Sequence, residues 1–337
     1  MEQGGRKQEK RTTPDGIHIV DWREKEEQTR WLDYCRLKVL FARALDQVKP
    51  DLVHAGPIQR VAFLPALTQF HPLLSMSWGF DMLEGAHKDL IWRAITKFVL
   101  WRSDWLAADC QTVKREALAF GFPAERVAVF PWGVDLEVFQ PKDRGFIHCQ
   151  VGYEEDLLIV HTRSWEERYG VDVALEGFWL ASREVPNLRL FLLGGGSQEK
   201  WVKRYVQQKD LTERVHFCGY QENEVLAQYY RAADVYLSAS HIDGSSVALM
   251  ESMACACPAL VSDIPSNLEW IRDGQEGWVF KDKDAHSLAA RIIEITRNRD
   301  QISIRGLNAR RKAEKDANWK KNFEKLLATY RLMVSQP

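Results

Sequence analysis

The feature that most constrains this chain is an alternation running through most of its length: short apolar or β-branched runs separated by longer stretches with a helical period. The runs at 157–161, 189–193 and 235–238 are too short for helices and too uniformly apolar for half-solvated strands, so they read as strands buried on both faces. The intervening segments 171–183, 222–232 and 247–256 carry helical spacing. Strand, helix, strand in succession requires crossovers, and so predicts parallel sheets covered by helices, the α/β class.

The same alternation begins earlier. Strands are expected at 17–20, 51–54, 73–77, 105–107 and 127–130, with helices at 27–48, 58–69 and 86–101. Residues 131–145 combine Pro, Gly and charge without helical period and read as an interdomain connection. The second half adds a helix at 197–209 and strands at 215–218 and 259–261. The expected organisation is a flexible polar arm (1–16), a first Rossmann-like domain (17–143), a second Rossmann-like domain (144–316) and a terminal helix (317–337) crossing back to the first. A doubly wound domain usually opens on a buried strand with a glycine turn. Here a polar arm stands there instead, so the first domain is expected to be short or incomplete.

Charge narrows the partners: 46 Lys and Arg against 47 Asp and Glu leave a net charge of -1, with no basic excess in either half to hold nucleic acid. The six cysteines are dispersed and read as reduced thiols in a cytoplasmic protein. Cys255 and Cys257 have no second Cys/His pair nearby to complete a zinc site. No apolar run reaches the ~18 residues of a membrane span, so attachment is expected to be peripheral at most.

The most informative stretch is 234–280. The strand at 235–238 ends in a polar loop, and Asp243-Gly244-Ser245-Ser246 opens a helix at Val247. Unpaired amides at a helix start, beside serine hydroxyls and a glycine permitting close approach, suit a diphosphate. An ordinary N-cap accounts equally well for the loop alone. Glu251, further into the helix, is placed to accept hydrogen bonds from a ribose diol, and Asp243 to face an adjoining sugar.

That acidic residue, seven residues, then Glu, followed by Ser-Met-Ala-Cys-Ala-Cys-Pro-Ala-Leu-Val-Ser-Asp, resembles the signature of family 4 retaining glycosyltransferases of the two-domain GT-B fold. Phe130-Pro131-Trp132-Gly133-Val134-Asp135, Leu193-Gly194-Gly195-Gly196 and Val215-His216-Phe217-Cys218-Gly219-Tyr220 resemble further segments in that family's order. The resemblance implies two parallel sheets facing across a cleft, a nucleoside diphosphate sugar as donor, a glycan or lipid-linked acceptor, and no required metal or other cofactor. It implies that Glu251 holds the ribose, that Gly244, Ser245, Ser246 and Val247 surround the diphosphate, and that Gly219 and Tyr220 face the base. Arg163, with Arg168 as second cation, would steady the leaving group. Asp243 stands where the family usually has Glu, and Trp78, in Ser77-Trp78-Gly79-Phe80-Asp81, where it has His. Trp78, Asp81 and His54 are the acceptor or cleft candidates, although capping and structural roles suit Asp81 and His54 as well. Two other functions stay open: a catalytically degenerate nucleotide- or glycan-binding subunit, and a nucleotide-sugar epimerase of the same architecture. Residues 86–106 interleave Lys88, Arg93, Lys97 and Arg102 with Trp92, Phe98, Trp101 and Trp105. This pattern fits a helix on the sheet and also a peripheral contact with an anionic bilayer.

Overall fold

The structure, a computed structural model, describes residues 16–20, 33–143 and 155–335. All but the last residue of the arm expected at 1–16, the start of the helix expected from residue 27 and the end of the connection expected at 131–145 lie outside these residues. Two parallel sheets organise the chain. The first contains β1 (Val53–Ala55), β2 (Leu73–Met76), β3 (Trp105–Ala108) and β4 (Val127–Val129), in that spatial order. Its helices are α1 (Tyr34–Val48), α2 (Phe63–Thr68), α3 (Phe80–Leu83), α4 (Leu90–Arg102) and α5 (Gln111–Ala119).

The second sheet contains β5 (Leu157–His161), β6 (Leu188–Leu193), β7 (Val215–Gly219), β8 (Val235–Ser238), β9 (Ala259–Ser262) and β10 (Gly277–Phe280). Its spatial order is β10-β9-β8-β5-β6-β7, all parallel. Around it lie α6 (Val171–Ser182), α7 (Glu199–Gln208), α8 (Asn223–Ala232), α9 (Val247–Ala254), α10 (Pro265–Trp270), α11 (Ala285–Arg297) and α12 (Asp300–Asp316), followed by the terminal α13 (Trp319–Ser335). Alternate side chains of β5 enter different cores. Leu157 and Ile159 join Phe178 and Ile292 on one face, while Leu158 and Val160 join Tyr236, Met250 and Ala309 on the other. Burial on both faces explains why these strands are apolar throughout.

The chain leaves β5 in one direction to β6 and β7, and later continues from β8 the opposite way to β9 and β10. Neighbouring β5 and β8 therefore flank a topological switch, where the strand ends of an open parallel sheet form a crevice. Between the sheets, two strands of chain run side by side. Val134 N–H donates to Ala317 O at 2.8 Å and Trp319 N–H to Val134 O at 3.2 Å. Gly133, at φ +82°, fits there because a Cβ would stand 2.8 Å from Trp319 N.

Three expected elements differ. Residues 17–20 form no strand, and Ile17 and Ile19 are exposed: β-branched residues favour strands only where a neighbouring strand supplies packing. The helix expected at 58–69 begins only at Phe63, because Ile58 N–H is directed to the Asp81 carboxylate at 2.9 Å. The stretch at 86–101 is interrupted at Asp89, whose carboxylate accepts Trp92 N–H at 2.8 Å and starts α4 at Leu90.

Candidate active site

Arg163 follows β5 and Asp243 follows β8, so the switch point brings them together. Arg163 Nη2 lies 2.7 Å from Asp243 Oδ2, with both side chains nearly buried. The guanidinium also stacks on Tyr169, 4.0 Å from the ring centroid. Burial opposes the guanidinium charge, yet Asp243 and the surrounding tyrosines hold its pKa above the ordinary arginine value. For Asp243, burial pushes the carboxyl up while Arg163 pulls it back.

Ser246 is the N-cap of α9 and accepts Leu249 N–H. The next amides, of Val247 and Ala248, belong to the first turn, where a helix has no internal acceptor for them. On the following turns Glu251 is buried and accepts the Tyr230 hydroxyl at 3.0 Å, and that hydroxyl lies 2.9 Å from Thr162 Oγ1. Burial pushes the Glu251 carboxyl up to about 7, against the hydrogen bond from Tyr230 and the charge of Arg163. Asp243, Arg163, Ser246 and Glu251 thus occupy one crevice. At its far side Gly219, at φ +65°, turns the chain so that Tyr220 lies on the Gly194–Gly195 turn, its hydroxyl donating to Gly195 O at 3.2 Å. Tyr220 remains 66% exposed and presents an aromatic face.

Other candidates go elsewhere. Arg168 does not share the buried position of Arg163. Its guanidinium stacks on Phe80 of the first domain at 4.9 Å and reaches Glu84 at 3.5 Å, because the turn before Gly170 aims it across the cleft. Gly170 fits tightly there: a Cβ would stand 2.1 Å from Ala239 O. Ser245 is not presented as a phosphate ligand. Its N–H donates to Asp109 Oδ2 at 2.9 Å and its hydroxyl to Asp109 O at 2.7 Å, since the first domain docks against this loop.

Asp81 is buried, not displayed in the cleft. Its oxygens accept Ile58 N–H, Ser77 Oγ–H and Trp78 N–H, which makes it the brace of the loop before α3. His54 likewise turns to the terminal helix, where Nδ1 meets the Tyr330 hydroxyl at 2.5 Å. Burial lowers its pKa to about 4. Trp78 is 47% exposed and adjoins Gly79, whose backbone faces Gly244 so closely that a Cβ on Gly79 would stand 2.5 Å from Gly244 N.

The sequence reading missed Asp109, Tyr230 and Glu269. Asp109 had a usable signal: it directly follows an apolar run, at the carboxyl end of a parallel strand. Tyr230 and Glu269 act through partners supplied by the fold.

Residues 144–325, over half of the chain, match the family model for glycosyl transferases group 1, and residues 2–138 match that for Glycosyltransferase Family 4. Among curated relatives, the amylovoran biosynthesis glycosyltransferase AmsK of Erwinia amylovora is 28% identical over 211 residues, covering 61% of this chain and 50% of the relative. The putative colanic acid biosynthesis glycosyltransferase WcaL of Salmonella typhimurium is 29% identical over 209 residues, 59% of this chain and 50% of the relative. The chain thus spans about half the length of these relatives. Among solved structures, Anabaena HepE in complex with UDP superposes with a TM-score of 0.78 at 18% identity, over 87% of this chain and 82% of that one. Sucrose-phosphate synthase from Thermosynechococcus elongatus gives 0.78 at 21% identity, over 92% and 81%. The fold is therefore GT-B, and the chain belongs to the glycosyl transferases group 1 family.

Proposed function

We propose that this protein transfers a hexose from a nucleoside diphosphate sugar to a hydroxyl of a glycan or lipid-linked acceptor, with retention of configuration. The observation carrying this reading is the convergence of Arg163, Asp243, the α9 N-terminus and Glu251 at the β5/β8 switch point. The Val247 and Ala248 amides receive the diphosphate, whose negative charge the helix end favours. Glu251 accepts the ribose diol, and Tyr220 offers its face to the base. In the donor-free arrangement Asp243 neutralises Arg163. An arriving diphosphate takes over the guanidinium and leaves Asp243 to the donor sugar.

Departure of the nucleoside diphosphate leaves positive character on the sugar and negative charge on phosphate. Asp243 steadies the first, and Arg163, with Arg168 from the cleft edge, the second. These cations perform the charge stabilisation for which other transferases use a divalent metal. The outer side of α4 suits an anionic bilayer bearing the acceptor: Leu90 is 84%, Ile91 66% and Trp101 75% exposed, amid Lys88, Arg93 and Lys97. No helix of the described residues is long and apolar enough to cross a membrane. Flotation with anionic and neutral vesicles tests this contact, and equal failure with both refutes it.

The decisive experiment is calorimetric titration with UDP, GDP, ADP and their hexose conjugates, with and without EDTA, followed by an acceptor screen with the anomeric product read by NMR. A selective response insensitive to EDTA, weakened about 10- to 100-fold in Glu251→Ala, is the expected result for losing a charged hydrogen-bond acceptor. Silence across the panel in the folded protein, or unchanged binding by Glu251→Ala, refutes the donor assignment.

A further inference from the structure

We propose that Asp109 is a positioning residue for the donor loop, acting from the opposite domain, and that Glu269 returns the contact, so that donor affinity depends on this two-way carboxylate exchange. The proposal rests on the donor-site reading above and adds a source of control outside the second domain.

The exchange is built on one short segment. Asp109, buried at the end of β3, accepts Ser245 N–H through Oδ2 and Ser245 Oγ–H through its carbonyl; Trp270 Nε1–H also donates to Ser245 Oγ, at 3.2 Å. Both polar groups of Ser245 that can donate are therefore committed to the first domain. In return, Glu269 on α10 of the second domain accepts Gln111 N–H at 2.9 Å, Thr112 N–H at 2.7 Å and Thr112 Oγ–H at 2.5 Å. This carboxylate sits at the N-terminus of α5, where helix amides and the helix dipole favour it. Residues 109–112 thus give one carboxylate across the interface and receive another.

Sterics make the docking specific. A Cβ on Gly244 would stand 1.9 Å from Asp109 Oδ2, and one on Gly79 would stand 2.5 Å from Gly244 N. The backbone can approach this closely only with glycine at both positions. Gly244 and Ser245 lie between Asp243, which holds Arg163, and Ser246, which caps α9. Holding Ser245 therefore fixes the spacing of the donor-facing residues on both sides. Asp109 itself is given no contact with the reacting atoms.

The arrangement also carries a pH signature. Burial pushes the Asp109 carboxyl up to about 7, and the Asp243 and Asp81 carboxylates add to this against the Ser245 N–H and the Cys110 thiol. Its Oδ1 receives no hydrogen bond from a nitrogen or oxygen donor. The charged groups around it are Asp81 from the first turn of α3, Asp243 from the donor loop and Glu269 from α10. Lys312, Asp316 and Lys325 line the adjoining interdomain pocket of about 290 Å³. A pKa raised in the docked state means that docking is favoured with the proton on, that this advantage is lost as pH rises from the ordinary carboxylate range to about 7, and that it is gone above 7. Glu251, whose carboxyl also lies near 7, works the other way, because its ionised form accepts the ribose diol better. Below pH 7 the two groups therefore oppose each other in setting donor affinity, and above it neither changes it further.

The test uses UDP as probe, titrated between pH 5.5 and 8.5, together with hydrogen exchange of the nucleotide-free protein. Asp109→Ala should weaken UDP about tenfold, a loss on the scale of one charged hydrogen bond. Asp109→Asn, which keeps an acceptor, should restore affinity to within about threefold and, by removing the falling component, make affinity rise more steeply between pH 5.5 and 7 than in the wild type. Glu269→Gln should speed exchange at Gln111 and Thr112, and Asp109→Ala at Ser245, each across the interface from the substitution. If UDP, GDP and ADP all fail to bind the wild type while these exchange effects appear, the donor reading fails and the interface assignment stands; if another of them binds in place of UDP, it becomes the probe. Wild-type UDP affinity in Asp109→Ala overturns the positioning role, as does an Asp109→Asn variant whose pH profile below 7 matches that of the wild type.

Discussion

In the second sheet β5, β8 and β9 are buried along their whole length, whereas in the first β1 has one buried residue, Ala55, and α1 beside it has none. The second sheet has a large core on each face, composed of its own strands and helices together with Val134 and Phe139 from the connection. The first has one such core, around Leu73, Leu106 and Val99. Its other face, with Leu74, Met76 and Ala107, is covered by Leu326 and Met333 of α13 from the far end of the chain. The difference teaches that the donor-side residues stand on a platform supported from within, while the first domain borrows packing from distant sequence. The crevice joins a rigid partner to a dependent one, and a contact such as Asp109 to Ser245 can then link loop geometry to docking.

The largest effect that sharpens this contrast compares a truncation in the core of the second sheet with one on α1. Phe178→Ala, at a fully buried position between α6 and the second sheet, should cost about 3–5 kcal/mol by chemical denaturation through lost burial and a residual cavity. Val39→Ala on α1, where the side chain is 51% exposed, should change stability by less than about 0.5 kcal/mol. Similar losses from both would break the comparison. A smaller effect tests the borrowed packing. Leu326→Ala should cost about 2–4 kcal/mol, and hydrogen exchange should rise first in β2 and β3 although the substitution lies on the terminal helix. Faster exchange confined to the second sheet would contradict it.

The same contrast explains what the sequence made legible. The central strands β5, β8 and β9 were readable because burial on both faces writes an uninterrupted apolar run, as at Leu157–His161, whereas the edge strand β10 was not anticipated. Asp243, Ser246 and Glu251 were readable because one loop and the helix it opens place them together, so local spacing stands in for geometry. Asp109 and Ser245 are 136 residues apart and meet only because two domains dock. Asp81 was a cleft candidate because its loop resembles a family segment, and His54 because it follows a strand, with structural roles open for both. The Ile58 amide and the Tyr330 hydroxyl claim them instead, and neither partner is visible from the neighbouring sequence. Residues 17–20 show the converse: a β-branched pattern without a pairing strand does not make a strand.

The smallest expected effect concerns that borrowed packing and has a defined pH window. His54 lies on β1 beneath Tyr330 of α13, and burial lowers its pKa from 6.5 to about 4. A lowered histidine pKa favours the neutral ring in the folded state. Its contribution is fully present above pH 6.5 and is lost as pH falls toward 4. His54→Leu removes both the titration and the hydrogen bond to Tyr330, so at pH 7.5 it should cost about 1 kcal/mol. As the pH falls from 6.5 to 4, that deficit should shrink and then reverse, because the wild type must place a proton on a buried ring and the variant need not. Thermal melts across this window measure the difference between the two proteins, and exchange at β1 and β2 locates it. A constant deficit at every pH would mean that the ring is not held neutral by α13, and that the first sheet depends on the terminal helix through apolar packing alone.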